Sequence, residues 1–224
     1  KSLKSFTPDG ENIRFGLLAI KNIGEKIAEA IVDERSKAGP FKSFEELLKR
    51  VHHKDLNKKS LEALMKSGAL DCLKLERNAG ISNIDEILKF TDRARKNTGA
   101  FENNLFGGAI FVSDSLKLKE TPPATTKEKL AWEKELLGLY ISDHPLKSYA
   151  EEFKKYNIRE IKEIIATKGI TRTRVGGIIT KIQKINTKTG QPMIFAKLED
   201  MNHSLEVLVF SDMLSKNPNI WYEG

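Results

Sequence analysis

The spacing of apolar residues predicts a largely helical first part of the chain. In residues 13–35, two apolar patterns with helical spacing flank a short polar turn at residues 21–24. The apolar positions are Phe15, Leu17, Leu18 and Ile20 in the first pattern, and Ile27, Ala28, Ile31 and Val32 in the second. Residues that recur every three or four positions share one helix face. The sequence therefore predicts a helix-hairpin-helix.

The turn between these two helices has the chemistry of a phosphate contact. Gly24 can adopt a positive φ and has no side chain, so another backbone can come close. The N–H groups at the start of the second helix have no partner within it, and the helix dipole attracts anions there. Lys21 and Lys26 add positive charge, whereas Glu25 would sit close to an incoming phosphate. The alternative is an ordinary helical hairpin with a glycine turn.

A second helical pair is predicted over residues 43–70. Ser43 and Glu46 have the spacing of a capping box, and a helix is expected from Ser60 to Leu70. The pair has the form of a degenerate copy of the first unit that lacks the turn glycine. Its lysines could replace the glycine by charge alone, but we favour a structural role in packing against the first pair.

A further helix is predicted over residues 84–98, followed by a loop over residues 98–108. Leu105 and Phe106 lie in this loop without helical or strand spacing. Such an apolar pair is either a plug into the chain's own core or a short linear motif for a partner's pocket. From the loop alone, the plug is the simpler interpretation.

Residues 120–126 have the Pro/Thr composition of a linker, and helices are predicted over residues 127–138 and 149–168. Between these helices, Ser142, Asp143 and His144 are consecutive. A catalytic triad is assembled from separated chain positions, so we do not interpret these three residues as one.

From residue 170 the apolar period changes to that of strands. Strands are predicted over residues 174–185, 192–198 and 204–210, with a glycine pair at 176–177 that would allow a sharp bend. This pattern is typical of a small closed barrel such as an OB-fold, which often binds single strands with basic grooves and aromatic side chains. The candidates are Lys181, Lys184, Lys197, Phe195 and Phe210, although the core is the simpler place for both phenylalanines. The expected fold class is mainly α, followed by a partial β-barrel.

Composition favours a binding protein over a catalyst. The chain has 224 residues and a formal net charge of +7, which suits nucleic-acid binding. Its single cysteine, Cys72, excludes an internal disulfide and is compatible with a reducing cytoplasm. No apolar run approaches membrane-spanning length. The sequence also lacks metal-ligand spacing, a P-loop and a dinucleotide fingerprint, and His52–His53 is interpreted as a solvated pair.

Five separated blocks of the sequence, taken in order, resemble one known family. The chain is similar to the alpha subunits of bacterial DNA polymerase III, the C family of replicative polymerases. The blocks are IRFGLLAIKNIGEKIAEAIVDER, GPFKSFEELLKR, LNKKSLEALMKSGALD, LLGLYISDHPL and GGIITKIQKINTKTGQPMIFAKLED with the following LEVLVF.

The resemblance implies a domain plan. Residues 1–12 would end the fingers domain, residues 13–165 would carry tandem helix-hairpin-helix motifs and a sliding-clamp site, and residues 170–224 would begin an OB-fold. The chain is thus expected to be a piece of a longer DNA-directed DNA polymerase. The catalytic palm and its Mg²⁺ would precede this piece, so we expect it to be inactive alone, without a cofactor or catalytic residues.

The resemblance also implies two binding sites. Duplex DNA would be held by Lys21, Asn22, Ile23, Gly24, Lys26, Lys58 and Lys59. The sliding clamp would be bound by Glu102, Asn103, Asn104, Leu105 and Phe106. The usual form of this clamp motif is Gln-x-x-Leu/Met-Phe, so Glu102 departs from it, whereas Leu105 and Phe106 are retained.

The expected partners are double-stranded DNA, single-stranded DNA at the OB-fold, the sliding clamp and other replisome subunits. We expect no membrane partner, and the expected location is the bacterial cytoplasm. The alternative function is a stand-alone nucleic-acid-binding scaffold or repair factor that combines helix-hairpin-helix and OB modules.

Overall fold

The computed structural model of the chain describes residues 2–103, 115–167, 169 and 172–223, with side chains described outside residues 97–103. The chain divides into two compact units, Lys1–Ser142 and Asp143–Gly224. The domain boundary expected between residues 165 and 170 stays a prediction.

The described part of the first unit consists of a short β-hairpin followed by helices. The strands are β1 (Thr7–Asp9) and β2 (Asn12–Arg14), which pair antiparallel. The helices are α1 (Glu25–Ala38), α2 (Phe44–Arg50), α3 (Lys58–Lys66), α4 (Arg77–Ser82), α5 (Ile84–Asn103) and α6 (Thr126–Leu137).

The prediction of a helix before the turn at residues 21–24 is wrong. The chain forms a single 3₁₀ turn there, Leu17–Ala19, directly after β2. The first two amides of this turn donate to the carbonyls of Leu3 and Lys4 at 2.9 and 3.0 Å. Backbone groups near the N-terminus are therefore paired with this turn, and a full helical turn does not form.

One apolar core holds the first unit together. The inward stripe predicted for α1 is confirmed by the burial of Ile27, Ala28 and Ile31, and Val32 packs at the edge of the core. Leu48 on α2 is fully buried. Other buried residues come from α3 and α5: Leu61, Leu64, Met65, Ile87 and Phe90.

Side chains cap the helices of the second helical pair. Ser43 accepts from the Glu46 amide at 3.1 Å, as a capping box predicts, but the Glu46 carboxylate accepts from the Lys42 amide rather than from Ser43. Helix α3 starts two residues before the predicted Ser60. Asn57 caps it, because Asn57 and Ser60 each accept a hydrogen bond from the other's amide.

Residues 116–124, which overlap the Pro/Thr linker predicted over residues 120–126, form an extended segment held against the helices, which we call the strap. Its backbone is bound by side chains of α2, α4 and neighbouring residues. Four side chains hydrogen-bond to strap backbone groups at 2.7–3.2 Å: Glu45 to Leu116, Asn78 to Pro122, Asn83 to Lys119 and Glu76 to Ala124. Because its backbone groups are paired, the strap is part of the first unit.

A buried carboxylate joins α6 to α4. The Glu133 side chain has no exposed surface, and its Oε1 accepts from Arg77 Nη1 at 2.9 Å. Its Oε2 accepts from the amides of Ile141 and Ser142 at 2.8 and 2.9 Å. Arg77 also pairs with Asp71 at 2.8 Å. Glu133 therefore fixes both α6 and the loop that follows it.

Helix α5 is longer than predicted. It continues to Asn103, so residues 98–103 are helical rather than part of a loop.

The second unit begins with short helices. The single helix predicted over residues 149–168 is wrong: a 3₁₀ turn at Pro145–Tyr149 leads into α7 (Ala150–Lys155), and α8 (Ile161–Ala166) follows separately. The break has a left-handed residue, Asn157 with φ 49°, which no α-helix accommodates.

A three-stranded antiparallel meander follows, in the order β3 (Ile178–Asn186), β4 (Pro192–Glu199) and β5 (Ser204–Val209), and α9 (Ser211–Lys216) closes it. The expected fold class, helical and then a partial OB-like sheet, is confirmed. The glycine pair makes a close approach rather than a positive-φ bend. A β-carbon on Gly177 would lie 2.7 Å from the Glu199 carbonyl oxygen.

Within the described ranges, every helix is too short or too polar to cross a lipid bilayer.

The buried carboxylate predicts the acid sensitivity of the first unit. Burial by itself would raise the pKa of Glu133, but the Ser142 and Ile141 amides and Arg77 outweigh it and lower the pKa. Because the folded pKa lies below the unfolded value of about 4.3, the stabilisation is complete above that value. It is lost as the pH falls through the folded pKa.

We therefore expect Glu133→Gln to lower the free energy of unfolding at pH 7 and to flatten its fall between about pH 5 and pH 3. Urea unfolding at a series of pH values measures both effects. Glu135→Gln, on the exposed side of α6, serves as the control that removes the same charge. Parallel curves for Glu133→Gln and the parent chain would contradict the expectation.

Candidate nucleic-acid interface

The turn before α1 is built around a left-handed asparagine. The amide of Ile23 donates to the Ile20 carbonyl at 3.1 Å, which closes a four-residue turn. Asn22, its third residue, has φ 72°, the sign that a type II turn requires there. Gly24 does not use the positive φ that it could adopt. Gly24 has φ −82° and ψ 165° because it is the N-cap of α1, where backbone is extended.

Burial separates this turn into an inner and an outer side. Ile20 and Ile23 are 5% and 6% exposed and belong to the core of the first unit. Lys21, Asn22 and Gly24 are exposed. Ile23 therefore anchors the turn, and the outer residues present their backbone and charge to solvent. We call Lys21–Gly24 together with the first turn of α1 the hairpin surface.

The N-terminus of α1 has no side-chain cap. Gly24 has no side chain to close it, and the described residues place no acceptor on the amides of Gly24, Glu25 or Lys26. A β-carbon built on Gly24 would meet nothing within 4 Å. Helices α3 and α6, by contrast, both begin with complete capping boxes. The free amides at α1 are thus accessible to an anion from outside.

The charges around this N-terminus favour an anion. Within the described part of the chain, Lys21 and Lys26 are exposed and make no ion pair. Glu25, the acidic group that would oppose a phosphate, lies 3.4 Å from Lys4 Nζ. Lys4 also bonds Glu29, and that hydrogen bond raises the pKa of Lys4 above its usual value. The lysine therefore partly neutralises the carboxylates of this helix end.

Helix α6 holds the turn at residues 21–24 through a backbone hydrogen bond. The Lys21 amide donates to the carbonyl oxygen of Leu136 at 2.9 Å. Leu136 lies in the last turn of α6, and its side chain is buried in the core. The turn is therefore attached to a second helix as well as to α1.

The start of α3 in the second helical pair differs from that of α1 in having a side-chain cap. The Asn57 side chain accepts from the Ser60 amide, and the Ser60 side chain accepts from the Asn57 amide. Lys58 lies 3.5 Å from Asp85 in a surface ion pair, and Lys59 is exposed. These two lysines could attract phosphate by charge, at a helix end that its own side chains already cap in part.

The predicted clamp motif lies mostly outside the described residues. The backbones of Glu102 and Asn103 form the end of α5. Asn104, Leu105 and Phe106 lie outside the described part of the chain.

The sheet of the second unit places three candidate residues on one face. Lys181 lies directly opposite Lys197 on the neighbouring strand. Phe195 is two residues from Lys197 and so shares its face. Lys184 pairs with the buried Ile194 and belongs to the opposite face. The core position expected for Phe210 is wrong, since its side chain is 57% exposed, and Phe195 is half-buried.

The sequence analysis missed the groups that support the hairpin surface. Glu133 occupies an inward position of α6, three residues after Leu130 and three before Leu136, and this spacing was the signal available for it. The pairing of Lys4 with Glu25 spans 21 residues and has no local signal. Among the described residues, no group of three His, Cys, Asp or Glu side chains could hold a metal ion.

Comparison with known proteins supports the helix-hairpin-helix assignment and the expected resemblance. Residues 1–80 match the helix-hairpin-helix motif family. DNA polymerase III subunit alpha of Borreliella burgdorferi is 31% identical over 100% of this chain and 20% of its own length. The Thermus aquaticus subunit is 34% identical over 90% of this chain and 16% of its own length. The Haemophilus influenzae subunit is 31% identical over 95% and 18%.

These matches confirm that the chain resembles a fragment of that subunit along its whole length. The chain spans a fifth or less of the length of these relatives.

The left-handed turn residue gives a stability test. Asn tolerates positive φ, whereas a β-branched residue does not, so Asn22→Val should lower the free energy of unfolding by about 1–2 kcal/mol. Asn22→Gly should leave stability equal or slightly higher, because glycine has no β-carbon to clash. Thermal unfolding of the two variants measures this. Equal melting temperatures for Asn22→Val and the parent chain would mean that this turn is not formed as described.

Proposed function

Because the chain aligns from end to end with one segment of DNA polymerase III alpha subunits, we propose that it is the duplex- and clamp-binding segment of such a polymerase. In this proposal the parent protein carries the nucleotidyltransferase activity. The catalytic palm and its Mg²⁺ lie outside this chain, which holds DNA but does not extend it.

The open N-terminus of α1 is the observation that carries the proposal. Free amides, an adjacent glycine and two unpaired lysines form a site that fits one backbone phosphate. These amides and lysines would contact a phosphate and no base edge. Because every nucleotide carries the same phosphate, the duplex would be held without regard to sequence. A replicative polymerase needs such a contact because it traverses every sequence.

The clamp motif gives the proposal its second contact. Leu105 and Phe106 would enter a pocket on a sliding clamp, and Glu102 would occupy the position where glutamine is usual. A clamp encircling DNA keeps the polymerase at a high effective concentration near its template without a tight DNA contact. The segment would therefore contribute processivity.

The sheet of the second unit gives a third contact. Lys181, Lys197 and the half-buried Phe195 share a face that suits a single strand, with charge for its backbone and an aromatic ring for its bases. Lys197 is also paired with Glu199 at 2.7 Å, so only part of its charge is available. In the proposal this face takes the template strand.

The duplex contact is tested by the salt dependence of binding. Replacing Lys21 and Lys26 with alanine should weaken duplex binding and reduce the slope of log K against log salt by about 0.9 for each lost phosphate contact. Fluorescence anisotropy with a duplex at several salt concentrations measures both quantities.

A matched control removes the same charge elsewhere. Lys37 lies near the far end of α1, about 16 Å along the helix axis from Lys26, and Lys42 follows the end of the helix; both are exposed. Lys37→Ala with Lys42→Ala should leave the slope near that of the parent chain. If both double variants reduce the slope equally, binding depends on net charge and not on the hairpin surface.

The clamp contact is tested by two opposite substitutions. Leu105→Ala with Phe106→Ala should abolish binding to a purified bacterial sliding clamp and leave duplex binding unchanged, because neither residue belongs to the hairpin surface. Glu102→Gln should tighten clamp binding, since it restores an uncharged amide donor. Surface plasmon resonance on immobilised clamp measures the affinities. Clamp binding that survives the double alanine change would show that this motif is not the tether.

A further inference from the structure

The hairpin surface depends on a contact outside its own helix. Its inner residues, Ile20 and Ile23, pack into the apolar core, which sets its depth but allows small rotations. The directional contact is the hydrogen bond from the Lys21 amide to the Leu136 carbonyl oxygen at 2.9 Å. The orientation of the turn therefore follows the position of the last turn of α6.

The position of that turn is set by Glu133. Leu136 follows Glu133 by three residues, about 4.5 Å along the helix axis. Helical hydrogen bonds fix the distance between these two residues. The Leu136 carbonyl therefore moves together with Glu133. The side chain in turn contacts Arg77 of α4 through one carboxylate oxygen and two backbone amides through the other.

The bonds of Glu133 resist sliding of α6 because each of its partners is itself held. Arg77 is buried and also bonds Asp71 and the carbonyl of Lys66 at the end of α3. The amides of Ile141 and Ser142 belong to the loop after Gly138, whose φ of 76° turns the chain back at the end of α6. A displaced α6 would leave a buried carboxylate unpaired and would remove one partner from a buried guanidinium that keeps its bonds to Asp71 and Lys66, which is unfavourable.

We propose that Glu133 is a positioning residue for duplex DNA binding: through α6 and the Leu136 carbonyl, it holds Lys21–Gly24 in the orientation that receives a phosphate. The proposal rests on the proposed function of the hairpin surface. It also assigns a role to the LLGLYIS segment, whose backbone folds around this carboxylate.

The test compares Glu133→Gln with a control that weakens the same core from another side. In Glu133→Gln, the amide NH2 group must face a donor in either orientation, Arg77 on one side or the Ile141 and Ser142 amides on the other. Part of the attachment of α6 is therefore lost while the side chain keeps its size. The control is Ile87→Ala, which opens a cavity beside α5, a helix that packs on α2, α3 and α4. Both variants of the full 224-residue chain are studied at low temperature, after circular dichroism has been used to establish that they are folded.

The first measurement is amide hydrogen exchange at Lys21 without DNA. Glu133→Gln should exchange this amide about tenfold faster than the parent chain through local opening, and Ile87→Ala should not. The second measurement is duplex affinity at fixed salt. Glu133→Gln should bind about tenfold more weakly, the low end of what loss of a hydrogen-bonded supporting group costs a metal-binding site, and Ile87→Ala should bind like the parent.

Each outcome decides a separate question. Unchanged exchange at Lys21 in folded Glu133→Gln would overturn the positioning role, and so would an equal increase in Ile87→Ala. Faster exchange with unchanged duplex affinity would overturn the link between orientation and binding. Absence of duplex binding by the parent chain itself would overturn the proposed function, while the exchange measurement would still decide whether Glu133 orients the turn.

Discussion

A carboxylate with no exposed surface has to be paired wherever it lies, and that requirement organises the first unit. Glu133 satisfies it with one guanidinium and two backbone amides. Those partners belong to α4 and to the loop after α6, and Arg77 extends the network to the end of α3. Replacing such a group with apolar side chains often preserves stability. Here the buried carboxylate contributes orientation. Apolar contacts determine how deeply a helix packs into the core, whereas hydrogen bonds determine how it is oriented.

The free amides at the start of α1 contrast with the starts of α3 and α6. At α3 and α6, side chains from the chain itself bind the amide of the capping residue and the amide three residues later. At α1 the capping position is a glycine, and Lys21 and Lys26 make no ion pair within the described residues. The unit therefore satisfies part of its own donors at the starts of α3 and α6. It leaves them available at the end that faces outward, where lysines add to the helix dipole.

The sequence predicted the elements whose signals are local. The apolar stripe of α1, the helix at α3 and the three strands β3 to β5 follow from spacing alone, and the structure has them. The 3₁₀ turn at residues 17–19 was missed because its backbone partners lie near the N-terminus. Asn22, rather than Gly24, has the positive φ. The position within a turn determines the backbone angles, and the residue type determines only whether those angles are tolerated. For the site, spacing located the exposed groups but not Lys4 or Glu133, whose partners lie far away in sequence.

The strap has a consequence for how the chain tolerates change. Helix side chains bind its backbone N–H and C=O groups, and its own side chains make none of these bonds. Most substitutions within residues 116–124 would therefore preserve these hydrogen bonds, provided that they keep the N–H groups that donate and the apolar contacts of Leu116 and Leu118 with the core. The specificity of the hydrogen bonds lies in the side chains that hold the strap, Asn78 and Asn83 above all, since each must present its amide at one distance and angle. Sequence change is thus tolerated at the strap positions without a core contact and restricted at Leu116, Leu118 and the residues that hold the strap.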